Sequence, residues 1–268
     1  MAKGSKMDIK IIVATHKKYR MPESDMYLPI QVGAEGKEDI GYERDDKGDN
    51  ISSKNSTYSE LTGMYYGWKN IDTEYIGLVH YRRYFATLER RRSKDPFQNI
   101  LTINDAKKCL READIIVPSK RRYYIESLYS HYDHTLDGRH LRVAYKLIAK
   151  HYPEYIPSCN RVYHRTWGYM FNMFISRKEI WDSYCQWLFD ILRRMEPNID
   201  LSQSSDFEAR VYGRVSEILF NIWLDYNMRK GLTIKEVRCI HMEPVNWINK
   251  GTSFLKAKFI GKKYKESF

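Results

Sequence analysis

The chain has 268 residues, with 45 lysines and arginines against 34 aspartates and glutamates, a formal charge of +11. A chain this long buries a core without staples, and its charge favours polyanionic or phosphorylated partners such as nucleic acid, an anionic membrane face or a nucleotide. Cys109, Cys159, Cys185 and Cys239 are far apart with no C-x-x-C spacing, so neither a zinc knuckle nor a redox pair is indicated, and a reducing, cytosolic setting is expected.

The 22 tyrosines and 6 tryptophans offer flat apolar faces with polar edges, as bases and sugar rings require. The opening stretch lacks a long apolar region and a small-residue cleavage site. No later segment reaches the apolar length that crosses a bilayer, so the protein is expected in the cytoplasm or peripheral on the inner face of the cytoplasmic membrane.

Ile9 to Ala14 is a β-branched run closing on Thr15, His16 and Lys17, a buried strand that delivers polar groups at its end, the usual place for a nucleotide. Tyr19 to Asn50 is irregular, with a short strand expected at Tyr27 to Val32 and a polar turn cluster at Asp45 to Asn50, and reads as a ligand-covering loop. Ser56 or Thr57 is expected to cap a helix running to Asn70, with Glu60 near its first turn.

Next comes YIGLVHYRRYF, Tyr75 to Phe85. Its apolar run suits a strand buried on both faces, and His80, Tyr81, Arg82, Arg83 and Tyr84 follow where such a strand leaves its sheet. In open α/β sheets ligands bind beyond the carboxyl ends of strands, and paired arginines suit bidentate capture of phosphate or carboxylate. The plainer alternative is a basic surface loop.

Arg90 to Lys94 is a basic loop, Asn104 or Asp105 is expected to cap a helix through Leu110, and Ala113 to Pro118 reads as another strand. This alternation predicts a mostly parallel α/β sheet. A stretch dense in Tyr, His and Asp leads to a helix at about Leu141 to Lys150, and reads either as a sugar-binding wall or as a helix packing face. Tyr169 to Ser176 is expected as a strand, and Lys178 to Met195 as an amphipathic helix packing Ile180, Tyr184, Trp187, Leu188 and Ile191. Phe207 to Lys230 is a second helical stretch placing Arg210, Arg214 and Glu217 on one side. A strand-like segment, Thr233 to Val245, precedes a basic tail that mixes lysines with apolar residues and suits an anionic bilayer or plain solvent.

Gly48 to Asn55, Tyr58 to Asn70, Tyr75 to Phe85, Tyr123 to His134, Phe171 to Ser176 and Glu217 to Leu224 together resemble a family of bacterial glycosyltransferases. That family was long labelled a domain of unknown function, and it sits among capsule, exopolysaccharide and O-antigen assembly enzymes. The resemblance spans nearly the whole chain, and its specific motifs are ELTGMYYGWKN and HYRRY. It implies a GT-A-like, mostly parallel central sheet flanked by helices, with a helical C-terminal part. It further implies transfer of a sugar, galactofuranose from UDP-galactofuranose in some members, to a lipid-linked or oligosaccharide acceptor. The chain is then expected to be one glycosyltransferase domain, 1–268, with 1–120 mainly for the nucleotide sugar, 121–245 mainly for acceptor and catalysis, and 246–268 a basic tail.

Many GT-A enzymes end the equivalent strand in Asp-x-Asp and hold a metal there, whereas this strand ends in HYRR. Arg82 and Arg83 could neutralise the diphosphate directly, so no metal is expected to be required. The alternative is magnesium or manganese on Asp45, Asp46, Asp49 or His241. An inverting transfer needs a carboxylate to take the acceptor proton, and Glu217 is the first choice, with Asp206 and Asp137 in reserve. The competing reading of Glu217 is an ion pair with Arg214 or Arg210. Thr15 and His16 are expected at the uridine, Lys17, Arg82 and Arg83 at the phosphates with His80 beside them, and Asn55 and Glu60 on the nucleotide or donor sugar. His131, Tyr132, His134 and Asn172 would line the acceptor side, and Glu60 could instead serve only as a helix cap.

Three other classes compete. The charge and aromatic content suit a nucleic-acid binder, but no zinc finger, RRM-type motif or helix-turn-helix stands out, and no nucleic-acid partner is expected. A sugar-binding partner without turnover, within a polysaccharide assembly complex, is the second. A nucleotide-sugar hydrolase or phosphotransferase is the third, and the chain lacks the G-x-x-x-x-G-K-[ST] loop of the latter.

Overall fold

The computed structural model describes residues 7–89 and 93–243. The expected basic tail, 246–268, and residues 90–92 of the expected basic loop lie outside the described residues. Up to residue 118 the elements are β1 (Ile9–Thr15), β2 (Tyr27–Gln31), β3 (Glu43–Arg44), α1 (Asn55–Tyr58), α2 (Leu61–Asn70), β4 (Tyr75–His80), β5 (Arg83–Phe85), α3 (Ile103–Glu112) and β6 (Ile115–Pro118). There follow β7 (Arg121–Arg122), α4 (Leu128–Thr135), α5 (Gly138–His151), α6 (Ile156–His164), β8 (Trp167–Gly168), β9 (Phe174–Arg177), α7 (Lys178–Met195), α8 (Asp206–Ala209), α9 (Val211–Arg229), β10 (Ile234–Val237) and β11 (Cys239–His241).

The main sheet runs β10-β6-β9-β4-β1-β2-β3, and β5 and β11 extend from β4. Only β9 opposes its neighbours in that row, pairing antiparallel with both β4 and β6. β1 lies between two parallel partners, β2 and β4, so both its edges are paired, and a core covers each of its faces, which explains its unbroken apolar run. Successive side chains alternate across the sheet. Ile12 and Ala14 join the larger core with the helices α5, α6, α7 and α9, while Ile11 and Val13 join a smaller one with α3, β5 and β11. Gly77 lets β4 and β9 approach, since a Cβ there would fall 2.6 Å from Ile175 Cγ1 and 2.9 Å from the Phe174 carbonyl oxygen. The α/β class, the mostly parallel sheet and the helical C-terminal part agree with the expectation from the chain.

Several boundaries differ. The helix expected from Ser56 or Thr57 is two pieces, because Ser59 takes φ +54° between α1 and α2, and neither residue caps it. Thr102, rather than Asn104 or Asp105, is the N-cap of α3, with Asp105 closing a capping box three residues on. The helix expected at Leu141 to Lys150 starts earlier, at Gly138, with Asp137 as N-cap. Tyr169 to Met173 is not strand, since that segment bends through Phe171 (φ +76°) and Asn172 (φ +52°) before β9 begins. The second long helix breaks at Arg210, which separates α8 from α9. Over its described residues, 233–243, the expected segment Thr233 to Val245 divides between β10, beside β6, and β11, beside β5.

Candidate active site

Helix α9 and the segment 169–172 are stitched together side chain by side chain. Asn221 accepts from the Tyr169 N–H (2.8 Å) and donates to the Tyr169 carbonyl (2.7 Å), standing in for a strand partner. Arg165 also donates to Asn221. One turn earlier Glu217 Oε1 accepts from the Phe171 N–H at 3.0 Å. Asn172 donates to the Gly213 carbonyl (2.9 Å) and to Glu60 Oε1 (2.6 Å), and Ser216 Oγ lies 3.0 Å from its amide oxygen. Consecutive left-handed residues without glycine are strained, and here the surrounding bonds over-determine them, as at functional sites. Gly213 sits against the Ser59 break, where a Cβ would fall 3.1 Å from Ser59 Cβ, so α9 packs where Glu60 emerges.

Two carboxylates meet at this turn. Glu60 is the N-cap residue of α2, but its side chain makes no capping bond and turns instead to Asn172. Burial, then the field of Glu60, pushes the Glu217 carboxyl up to about 7, against smaller opposing effects of Arg121 and Arg83. Among the described residues Glu217 forms no ion pair with Arg214 or Arg210. Arg214 faces both carboxylates and Tyr132, burial lowers its proton affinity, and its buried Nη1 has no hydrogen-bond acceptor among the described residues. His80 ends β4 with Nε2 2.7 Å from the Phe171 carbonyl oxygen, and burial holds its imidazole below the usual histidine range. The hydrogen bond places the proton on Nε2. Arg83 lies over the Phe171 ring at 4.7 Å.

At the ends of β1 and β4 the charge reverses. His16 packs edge-on against Tyr81 at 5.4 Å. Desolvation, then the charges of Lys17, Arg82, Arg210 and Lys37, lowers its pKa, so cations from four segments act on it. All four are exposed. Tyr81 and Arg82 form a tight turn that sends β5 back along β4, so adjacent arginines diverge: Arg83 goes to the carboxylates and Arg82 to the cationic end, where it also pairs with Glu243 at 3.2 Å. Helix α9 links the two ends, with Arg210 before its first residue and Glu217 seven residues later, a rise of about 10 Å.

Other residues singled out from the chain occupy structural posts. Thr15 is fully buried, and its hydroxyl donates to the Lys17 carbonyl at 2.6 Å. Asn55 braces the Ser59 break, donating to the Ser59 carbonyl (2.8 Å) and Thr62 Oγ1 (3.1 Å). Asp137 caps α5 and pairs with Arg139 at 2.6 Å. Asp206 is exposed on the short α8. His131 and His134 converge on a carboxylate that sequence reasoning missed: Glu126, 5% exposed, 3.0 Å from His131 Nδ1 and 2.8 Å from His134 Nδ1. Tyr132 points the other way into the core, near His140. The tyrosine-dense stretch therefore splits, with Tyr123 and Tyr132 buried, and Tyr129 lining an open groove of 340 Å³ with Tyr145, Tyr163, Arg142 and Lys146.

The alternative metal ligands do not form a set. Asp45 is fully buried and accepts from the Gly33 N–H (2.8 Å), the Ala34 N–H (3.0 Å) and Ser52 Oγ. Asp46 pairs with Arg44 at 2.6 Å, and Asp49 accepts from Tyr65 at 3.0 Å. His241 packs edge-on to Phe171. Among the described residues no three His, Cys, Asp or Glu side chains cluster as metal ligands would. No helix among the described residues is long and apolar enough to cross a membrane.

The chain belongs to a family described as a domain of unknown function (DUF4422), whose model matches residues 10–228. The chain is similar to the apo structure of the WbbM bifunctional glycosyltransferase, at 31% identity and a TM-score of 0.81, over 88% of this chain and 45% of that one. It thus spans less than half the length of that relative. No curated protein matches the chain.

Proposed function

We propose that the chain is a GT-A-like glycosyltransferase that moves a sugar from a UDP-activated donor to a hydroxyl of a glycan or lipid-linked acceptor in bacterial surface-polysaccharide synthesis. Galactofuranose is the proposed sugar, with inversion at the anomeric carbon, and no metal is proposed to be required. The observation that carries the reading is the Glu217 carboxyl: half-buried, hydrogen-bonded by the Phe171 amide, raised to about 7, and joined by one helix to a cationic rim. Its likeness to a bifunctional glycosyltransferase supports the reaction class.

A general base works best with a pKa near the working pH. Deprotonated Glu217 takes the acceptor hydroxyl proton as that oxygen bonds to the anomeric carbon and the bond to the diphosphate oxygen breaks. Glu60, held by Asn172, and the open Nη1 of Arg214 position the donor sugar or acceptor hydroxyls. The negative charge that grows on the departing diphosphate is met by Lys17, Lys37, Arg82 and Arg210, doing by fixed charge what a metal does elsewhere. The exposed His16 ring, backed by buried Tyr81, offers a surface for the uracil.

The test is release of UDP from a panel of UDP-sugars with a lipid-linked or oligosaccharide acceptor, with and without EDTA. Turnover that survives EDTA, depends on acceptor and is greatest with UDP-galactofuranose is the expected result. UDP binding without turnover on any donor would instead favour a sugar-binding partner.

A further inference from the structure

Residues 121–126 carry a feature that neither the core nor the proposed chemistry uses. Tyr124 is 81% exposed and Ile125 58%, and these neighbours are the most exposed large apolar side chains among the described residues. Both ends of the loop are clamped. Tyr123 is 6% exposed, with its ring 4.3 Å from that of His131, and buried Glu126 holds His131 and His134. Between the clamps the Ile125 N–H donates to the Tyr123 carbonyl at 2.6 Å, closing a γ-turn on Tyr124 at φ +57°, the rarer and strained hand. Folding thus holds a tyrosine and an isoleucine outward at a conformational cost, where an ordinary surface loop would carry small polar residues.

The preceding residues, Arg121 and Arg122, are exposed, and the charge of Arg121 acts on Glu217, so the loop lies toward the carboxylate end of α9. We propose that Tyr124 and Ile125 form a fixed finger that enters the headgroup layer of an anionic membrane, with Arg122 against the lipid phosphates. Tyrosine suits that layer, with its apolar body toward the acyl boundary and its hydroxyl toward water, and adjacent basic residues are drawn to an anionic leaflet. A sugar ring would use the tyrosine face but leave Ile125 in water. A second copy of this chain would gain too little from two side chains, because stable interfaces bury about 800 Å² per partner. The inference goes beyond glycosyl transfer, and its readout needs neither donor nor acceptor.

The experiment is flotation of the full chain with vesicles of phosphatidylcholine alone or mixed with phosphatidylglycerol, at low and high salt. Wild type is expected to float with the anionic vesicles only, and less at high salt. Arg122→Glu should lower the partition coefficient about fivefold or more, and Tyr124→Ser with Ile125→Ser at least as much. Tyr124→Trp should retain binding, so that if the double serine variant melts early, the tryptophan and Arg122→Glu variants decide. Wild type failing to float, or Arg122→Glu and the folded serine variant floating like wild type, would overturn the proposal. So would variants that keep vesicle binding but lose affinity for a soluble oligosaccharide, which would make the finger a glycan contact.

Discussion

At the Arg210 end of α9, positive charge collects on exposed side chains, whereas two turns along the helix the half-buried Glu217 and Glu60 are held by the Phe171 amide and by buried Asn172. Exposed cations cost little to keep and act on a mobile anion through their summed field. A desolvated carboxylate is costly, and it persists here because Asn172, Asn221 and Ser216 lock the peptide that supports it. The difference separates capture, which tolerates side-chain motion, from proton transfer, which requires a fixed oxygen.

If that division holds, removing the base stops chemistry and spares capture. Glu217→Gln keeps an acceptor for the Phe171 amide, and it should lower the transfer rate by about 10²–10⁴-fold in initial-rate assays. The two arginines of HYRRY should then separate. Arg82→Ala with Lys17→Ala is expected to raise the donor KM by about 10–100-fold, as loss of charge-assisted contacts does, while Arg83→Ala should act mainly on kcat. Equal KM effects from both would mean that the two ends are one pocket.

The enclosure itself can be tested by denaturation. Asn172→Ala should destabilise the fold by about 2 kcal/mol, losing two donated hydrogen bonds while keeping an unfavourable φ. Asn172→Gly should recover part of that loss, because glycine adopts φ +52° freely. A smaller, pH-dependent effect is expected at Glu217. Its folded pKa is raised from 4.5 to about 7, so the stability gained from its protonated form is complete below about 4.5 and is lost as pH rises through about 7. Glu217→Gln lacks that loss, and its stability relative to wild type should grow across this window by up to about 2 kcal/mol, measured by urea melts at each pH.

Much of the scaffold was legible because buried parallel strands are nearly continuous apolar runs. Ile9 to Ala14 and Tyr75 to Val79 both sit within such strands. The reversal after His80 was not legible, since β5 is held by β11, which is remote in sequence. Glu60 was visible as an acidic residue near a helix start, but its turn toward Asn172 depends on Ser59 adopting φ +54°. Asn172 fell inside the strand expected at Tyr169 to Ser176, and only the contacts with α9 show why an asparagine, which tolerates left-handed backbone, is there. Glu126 escaped notice because its partners lie five and eight residues later on α4; a glutamate ahead of H-x-x-H was the signal available. Asp45 looked like part of a solvated turn, and its burial comes from two amides supplied by residues 33 and 34.

The most direct test is calorimetric titration of UDP, in EDTA, into wild type, the Arg82→Ala and Lys17→Ala double variant, and Glu217→Gln. Binding to wild type and Glu217→Gln with similar affinity, and its loss in the double variant, is the predicted result. Binding that requires a divalent ion, or that disappears with Glu217→Gln and survives in the double variant, would contradict capture by the cationic rim.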